Sequence, residues 1–269
     1  MSRESAAETF PRRTLTTADG TELSVLDSGG SGPIVVVLHG LAGSSSEFLA
    51  TAQALPEHRV LLLDQRGHGH STRRPADVSR EAFVSDVIAL IEEVGRPVAL
   101  VGQSMGAHTA LLTAAARPEL VSRLVLLEGG EGRGDPDQHA ALGKWLRAWP
   151  VPFDSREAAL AFLGDSPLSR AWVDDLEQAA DGLRPRFDPD VMVRAITAVA
   201  VPRWEEWERV TAPTTVIYAS DGLFTSEAKD EFIRRGRDVT RIDLAGASHD
   251  AHLDAFDGWI AALRAGLSG

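Results

Sequence analysis

The chain contains no cysteine. That excludes a disulfide framework, a thiol nucleophile, a dithiol redox pair and a thiolate metal site. Lysine is nearly absent: Lys144 and Lys229 stand alone among 27 basic side chains, and the rest are arginine. A lysine-rich phosphate-binding face is thereby excluded, and little room is left for Schiff-base chemistry. Positive charge is outnumbered as well. The 39 acidic residues against 27 basic ones give a formal net charge of −12, which disfavours nucleic acid or an anionic membrane as partner. No apolar run reaches the roughly 18 residues needed to span a bilayer. Met1–Pro11 is polar and lacks the apolar centre of a signal peptide, so the expected location is cytoplasmic. What is present is ordinary for a soluble globular protein: 43% apolar and 25% charged residues over 269 positions. That length fits one large domain or a domain carrying an insertion.

Residues 1–11 read as a loose polar tail. Arg12–Thr17 and Glu22–Asp27 flank an Asp19-Gly20 turn and predict a β-hairpin. Continuous apolar, largely β-branched runs follow at 34–38, 60–63, 98–101, 124–127 and 214–218, with a weaker one at 239–244. Such runs suit strands buried on both faces of a parallel sheet. Helix-like stretches lie between most of them, near 47–54, 80–94, 105–117, 226–235 and 254–267. This alternation predicts an α/β fold with a mostly parallel sheet of about eight strands flanked by helices. From Glu131 to Arg209 no strand-like run occurs. This interval holds helix-like stretches near 139–148, 156–163, 168–180 and 190–198, and eight of the chain's aromatic residues, among them Trp145, Trp149, Phe153, Trp172, Trp204 and Trp207. It reads as a helical insertion over the sheet, between core segments 12–130 and 210–269.

Gly102-Gln103-Ser104-Met105-Gly106 follows one buried run and opens a helix. This is G-x-S-x-G in a strand–turn–helix context. The turn is too tight for flanking side chains. It lifts the serine hydroxyl above the sheet and aims a helix N-terminus at the reacting centre.

Together with Leu38-His39-Gly40-Leu41, Asp64-Gln65-Arg66-Gly67-His68-Gly69-His70-Ser71 and Gly246-Ala247-Ser248-His249, this turn makes the chain resemble the α/β-hydrolase family over nearly its whole length after residue 12. The resemblance implies an α/β-hydrolase fold with a helical cap, Ser104 as nucleophile and His249 as its base. It also implies an oxyanion hole from the backbone amides of Leu41 and Met105. Among the other histidines, His39 is expected to brace the oxyanion loop and His252 to cap or pack its own loop. His68 and His70 are expected in a structural turn, and His108 as a packed or partly exposed residue. The i, i+2 spacing of His68 and His70 is not a ligand signature, and neither metal nor cofactor is expected.

The acid that orients the base has two candidates. Relatives usually carry Gly-x-x-Asp after the penultimate strand. Here the segment reads Ala219-Ser220-Asp221-Gly222, which puts glycine at the acid position and Asp221 one residue early. The alternative is Glu128, at the end of the strand after the nucleophile helix, where some family members draw their acid. Glu128 is favoured because position 222 lacks a carboxylate and glutamate's extra length could span one more strand position. Asp221 remains the alternative.

The substrate pocket is expected around His39, Gln103, Trp145, Trp149, Phe153 and Trp172, with the insertion's aromatics as an apolar roof. The expected activity is cofactor-free cleavage of a carboxylic ester or lactone, of apolar or aromatic character, through an acyl-enzyme on Ser104. The competing classes are a non-catalytic small-molecule receptor on the same fold and a thioester or carbon–carbon bond hydrolase. Haloalkane dehalogenase and epoxide hydrolase chemistry are disfavoured, because their relatives place aspartate where Ser104 stands. The oligomeric expectation is a monomer or homodimer.

Overall fold

The computed structural model describes residues 10–268; all but the last two residues of the expected N-terminal tail lie outside them. Strands β1 (Arg12–Thr16) and β2 (Glu22–Asp27) form the hairpin. Asp19 closes its turn by accepting from Thr17 Oγ1 at 2.6 Å and from the Thr21 amide at 3.1 Å. The chain continues through β3 (Ile34–Leu38), α1 (Leu49–Gln53), β4 (Arg59–Asp64), α2 (Arg80–Val94), β5 (Val98–Gln103), α3 (Met105–Ala116) and β6 (Val121–Leu127). Next come α4 (Pro136–Arg147), α5 (Arg156–Leu163), α6 (Pro167–Asp174), the strand pair β7 (Glu177–Ala179) and β8 (Gly182–Arg184), α7 (Pro189–Val199) and α8 (Trp204–Arg209). The chain closes with β9 (Thr214–Asp221), α9 (Ser226–Arg235), β10 (Val239–Ser248), α10 (Ala251–Asp254) and α11 (Phe256–Ser268).

Eight strands form one sheet in the order β1-β2-β4-β3-β5-β6-β9-β10. Its first two pairings are antiparallel and the rest parallel. The alternation of side chains along each strand splits the apolar runs between two layers. In β3, Val36 and Leu38 join α2, α3 and Phe232 on one face. Val35 and Val37 join Phe48, Trp259, Ile260 and Leu263 on the other. Helix α3 is buried over its first ten residues, which is why its sequence is apolar or small all round rather than amphipathic.

The segment between β6 and β9 packs into a third cluster, in which Leu146, Trp149, Phe153, Leu183, Phe187 and Met192 meet Ala42, Phe83 and Met105 of the main body. Two expectations are corrected here. The segment is not strand-free: β7 and β8 pair, and Phe153 bridges to Leu183. The helix expected over 168–180 accordingly stops at Asp174. Strands of three mostly polar residues carry no apolar run from which to read them. Trp204 and Trp207 also leave the insertion's core. Trp207 lies fully buried beside α9, stacked on Phe232 at 4.1 Å and donating Nε1–H to the Phe232 carbonyl at 2.8 Å.

Trp207→Ala should therefore lower unfolding stability by about 3–5 kcal/mol. Trp145, 39% exposed, should cost clearly less when changed to alanine. Equilibrium urea denaturation of the two variants checks the contrast; equal losses would contradict this division of the core.

Candidate active site

Ser104 stands between β5 and α3 with φ 54° and ψ −117°, a conformation that costs a non-glycine residue energy. The turn is forced by what surrounds it. A Cβ on Gly102 would sit 2.3 Å from the Gly106 carbonyl oxygen, and one on Gly106 would sit 2.3 Å from that of Leu38. The Ser104 amide is anchored by donating to the Leu127 carbonyl at 3.0 Å, and its carbonyl receives the His108 amide at 3.1 Å as the helix begins.

Glu128 follows β6 with φ 48°, and its amide donates to the Ile217 carbonyl at 2.9 Å. Its carboxylate is almost fully buried. Oε1 accepts from the Ala219 amide at 2.8 Å, and Oε2 accepts from the Leu223 amide at 2.9 Å and from His249 Nδ1 at 3.1 Å. Burial pushes the Glu128 pKa up. The hydrogen bonds from His249, Ala219 and Leu223 outweigh that and hold it below its ordinary value, so the group is an anion at neutral pH. Gly222 makes room for it: a Cβ there would lie 2.3–2.5 Å from the Glu128 carboxylate atoms. The space beside the expected acid position is thus filled by a carboxylate from the neighbouring strand. Asp221 is exposed at the end of β9, and among the described hydrogen bonds His249 Nδ1 meets Glu128 rather than Asp221.

With Nδ1 engaged, Nε2 is the ring nitrogen left for Ser104. Both side chains border one cavity of about 610 Å³. Gln103 supports the His249 loop by donating to the His249 carbonyl at 3.2 Å. His39 lies beneath the loop after β3. Its Nδ1 donates to the Gly40 carbonyl at 2.7 Å, and its Nε2 accepts from the Gln65 amide at 3.0 Å. That loop closes on the nucleophile, since a Cβ on Gly40 would stand 3.4 Å from Ser104 Cβ. Leu41 follows Gly40 in that loop. Met105 opens α3, where first-turn N–H groups have no acceptor within the helix.

The expected pocket is corrected. Of its six residues, none borders the Ser104 cavity. Gln103 and His39 are spent on backbone contacts. Trp149 packs against Trp145, Trp172, Phe153 and Phe187 at centroid distances of 5.3–6.2 Å. Large apolar rings bury most area against one another, so the insertion's aromatics stabilise the insertion. Trp149 and Trp172 face a separate narrow cleft with Asp175 and Arg186. Ile196 and Val199 of α7, Phe224 and Leu223 after β9, Arg133 and His108 border the cavity instead, together with Met105. His108 had a legible signal: it lies on the first turn of the helix that Ser104 caps, four residues after that serine.

His68 and His252 both pack within the main body. His68, buried, donates Nδ1–H to the Arg66 carbonyl at 2.9 Å, and burial pushes its pKa down to about 3. His252 stacks on Phe48 at 4.4 Å. Arg66, two residues before His68 in the Asp64–Ser71 loop, is held by Asp86 in a two-pronged pair at 2.6 and 2.7 Å.

The chain is 27% identical over 247 residues to a putative esterase/lipase of Haemophilus influenzae, covering 86% of this chain and 82% of that one. It is 36% identical over 151 residues to the sn-1-specific diacylglycerol lipase ABHD11 of Mus musculus, covering 54% of this chain. That match spans about half of the lipase, 49% of its length. In fold, the chain superposes on the crystal structure of E-2-(acetamidomethylene)succinate hydrolase with a TM-score of 0.88 at 22% identity, over 97% of this chain and all of the other. The profile of the Alpha/beta hydrolase family matches residues 35–262, and the chain belongs to that family.

Proposed function

We propose that this protein is a serine hydrolase that cleaves a carboxylic ester or lactone. The observation that carries the reading is the Glu128–His249 pair at 3.1 Å, on the same cavity as a serine held at positive φ. Ser104 Oγ attacks the substrate carbonyl as His249 Nε2 takes its proton, and the Glu128 anion stabilises the imidazolium and fixes its tautomer. The amides of Leu41 and Met105 receive the oxyanion. His249 returns the proton to the leaving alcohol, and water, activated by the same imidazole, releases the acid. The segment 131–209 acts as the cap that selects the substrate, through Ile196, Val199 and the loop after Glu128 rather than through its tryptophans. Relatives and fold neighbours include a diacylglycerol lipase, a protein phosphatase methylesterase and a thioesterase domain. All of these names describe acyl transfer to water, and the ester or lactone bond is the choice made here within that chemistry.

Ser104 should be labelled by a fluorophosphonate and should release a burst of nitrophenol from a short-chain nitrophenyl ester. Failure of both would replace the enzyme by a ligand receptor. Glu128→Gln should lower kcat by on the order of 10³–10⁴-fold, while Asp221→Asn should change it by less than about threefold. The reverse order would move the acid to Asp221.

Position 222 offers a second test. Gly222→Asp alone forces two carboxylates into one space and should depress activity strongly. Combined with Glu128→Ala it should recover activity above that of Glu128→Ala alone, measured as kcat on the same ester. No recovery would mean that the β9 loop cannot present an acid to His249.

A further inference from the structure

Two features of the Ser104 cavity have no part in the acyl transfer described above. The first is His108. It borders the cavity one helical turn beyond Ser104, is 2% exposed, and neither ring nitrogen makes a hydrogen bond of ordinary geometry. Buried polar groups are rarely left so, because the desolvation is not repaid. Gly132, also on the cavity wall, packs against Nε2: a Cβ there would stand 2.8 Å from that nitrogen and 2.5 and 2.7 Å from the Val199 and Val201 carbonyl oxygens. Burial, then the guanidinium charges of Arg80 and Arg203, push the His108 pKa down to about 3 against an opposing pull from the Glu131 main chain. His108 is therefore a neutral imidazole at working pH, with one N–H to give.

The second feature is charge. Arg80, at the start of α2, is 1% exposed. Its Nη2 donates to the Thr109 hydroxyl, its Nε and Nη1 have no partner, and no carboxylate pairs with it among the described ion pairs. This cation lies close enough to His108 to bear on its titration. Arg133, at the cavity rim with a half-exposed side chain, holds Glu131 Oε1 with Nε at 3.2 Å and Nη2 at 2.7 Å. A guanidinium has five N–H donors, so donors remain for a ligand. The nearby acids are already engaged: Glu131 by Arg133, Asp135 by the Asp137 amide at 2.9 Å, and Glu128 by His249. This end of the cavity thus holds unspent donors on Arg133, with the buried Arg80 guanidinium behind His108, stacked over the Phe83 ring at 4.6 Å and in the field of Glu81.

We infer that the substrate carries a carboxylate, received between the His108 imidazole and the Arg133 guanidinium while its scissile carbonyl lies at Ser104. The inference rests on the serine hydrolase reading. The carboxylate would take the one N–H of His108 in place of its poorly aligned approach to the Glu131 main chain and would sit in the field of Arg80. The apolar remainder of the wall, Ile196, Val199 and Phe224, would enclose the carbon skeleton between the two ends.

The test compares kcat/KM within two matched pairs of esters, in each of which an isopropyl group replaces the carboxylate. One pair places it on the acyl side: 4-nitrophenyl hemiglutarate against 4-nitrophenyl 5-methylhexanoate. The other places it on the leaving group: the butyrate of 4-hydroxybenzoate against that of 4-isopropylphenol. The charged member should be preferred by at least about tenfold in one pair. That preference should collapse toward parity in His108→Leu and in Arg133→Gln, the latter checked for an unchanged urea midpoint because Arg133 also pairs with the buried Glu131. Parity in both pairs, or a preference that survives both substitutions, would overturn the inference. Fluorophosphonate labelling of Ser104 separates the two levels. A labelled serine with parity removes only the carboxylate site, whereas an unlabelled serine with no turnover removes the hydrolase reading and this inference with it.

Discussion

The site depends on where one buried carboxylate can be placed. Glu128 starts on β6, but its charge is stabilised by groups from elsewhere: the Ala219 and Leu223 amides around the end of β9, and the imidazole of His249 after β10. A carboxylate out of water is tolerable only when its oxygens are filled with donors, and these three supply them. The same anion therefore ties together three loop segments that are far apart in sequence. It also fixes the face that His249 presents to the cavity. Gly222 is the steric condition for this arrangement, since any side chain there would meet the carboxylate.

The backbone around that carboxylate is strained in a pattern that follows the sheet. Among the described residues, positive φ outside glycine occurs at Ala42, Ser104 and Glu128. Such conformations cost about 1–3 kcal/mol each and persist where the surroundings over-determine them. Here the surroundings are parallel strands in tight register: Leu38 opposite Gly102, Gln103 opposite Leu127, and Leu127 opposite Ile217. This register lines up the carboxyl ends of β3, β5 and β6, so the loop after β3, Ser104 and Glu128 emerge side by side, while β9 runs on past Ile217 to Asp221. Helix α3, buried nearly all round, leaves the strand ends little freedom to relax.

How much of this could be read from residues alone follows from which forces act locally. The parallel strands were legible because a strand buried on both faces must be apolar throughout. Residues 34–38 and 98–101 have no other comfortable place. Ser104 and His249 stand in motifs whose spacing reflects a turn, and the missing carboxylate at 222 directed attention to Glu128. The string cannot show that a Cβ at 222 would collide with that carboxylate, because the contact joins residues 94 positions apart. The aromatic insertion misled for a different reason. Burial of a tryptophan is equally well served by a pocket wall or by another tryptophan, and composition does not distinguish them. Caps were available and unused: Asp135-Pro136, Ser166-Pro167 and Asp188-Pro189 each place an N-cap acceptor before a proline at the first helical position, a pattern that sets a helix start.

Drawing the acid from β6 also changes what the rest of the site can do. The loop after β9, relieved of supplying a carboxylate, contributes an amide to Glu128 through Leu223 and an apolar wall through Leu223 and Phe224. Phe224 is steadied against the buried Tyr218 at 5.5 Å. The chain after Glu128, meanwhile, runs directly into the wall at Gly130, Gly132 and Arg133. Glu128, which holds His249, and the cavity-wall residues Gly130, Gly132 and Arg133 therefore share one short stretch of backbone. A displacement at Gly132 or Arg133 has only a few peptide units in which to dissipate before it reaches a carboxylate held by three hydrogen bonds. In a hydrolase whose acid sat after β9, these two duties would lie on separate loops and could vary independently. On the proposed reading, the cavity wall and the hold on His249 are mechanically coupled, so a change in this loop that shifts specificity is also the one most able to disturb catalysis.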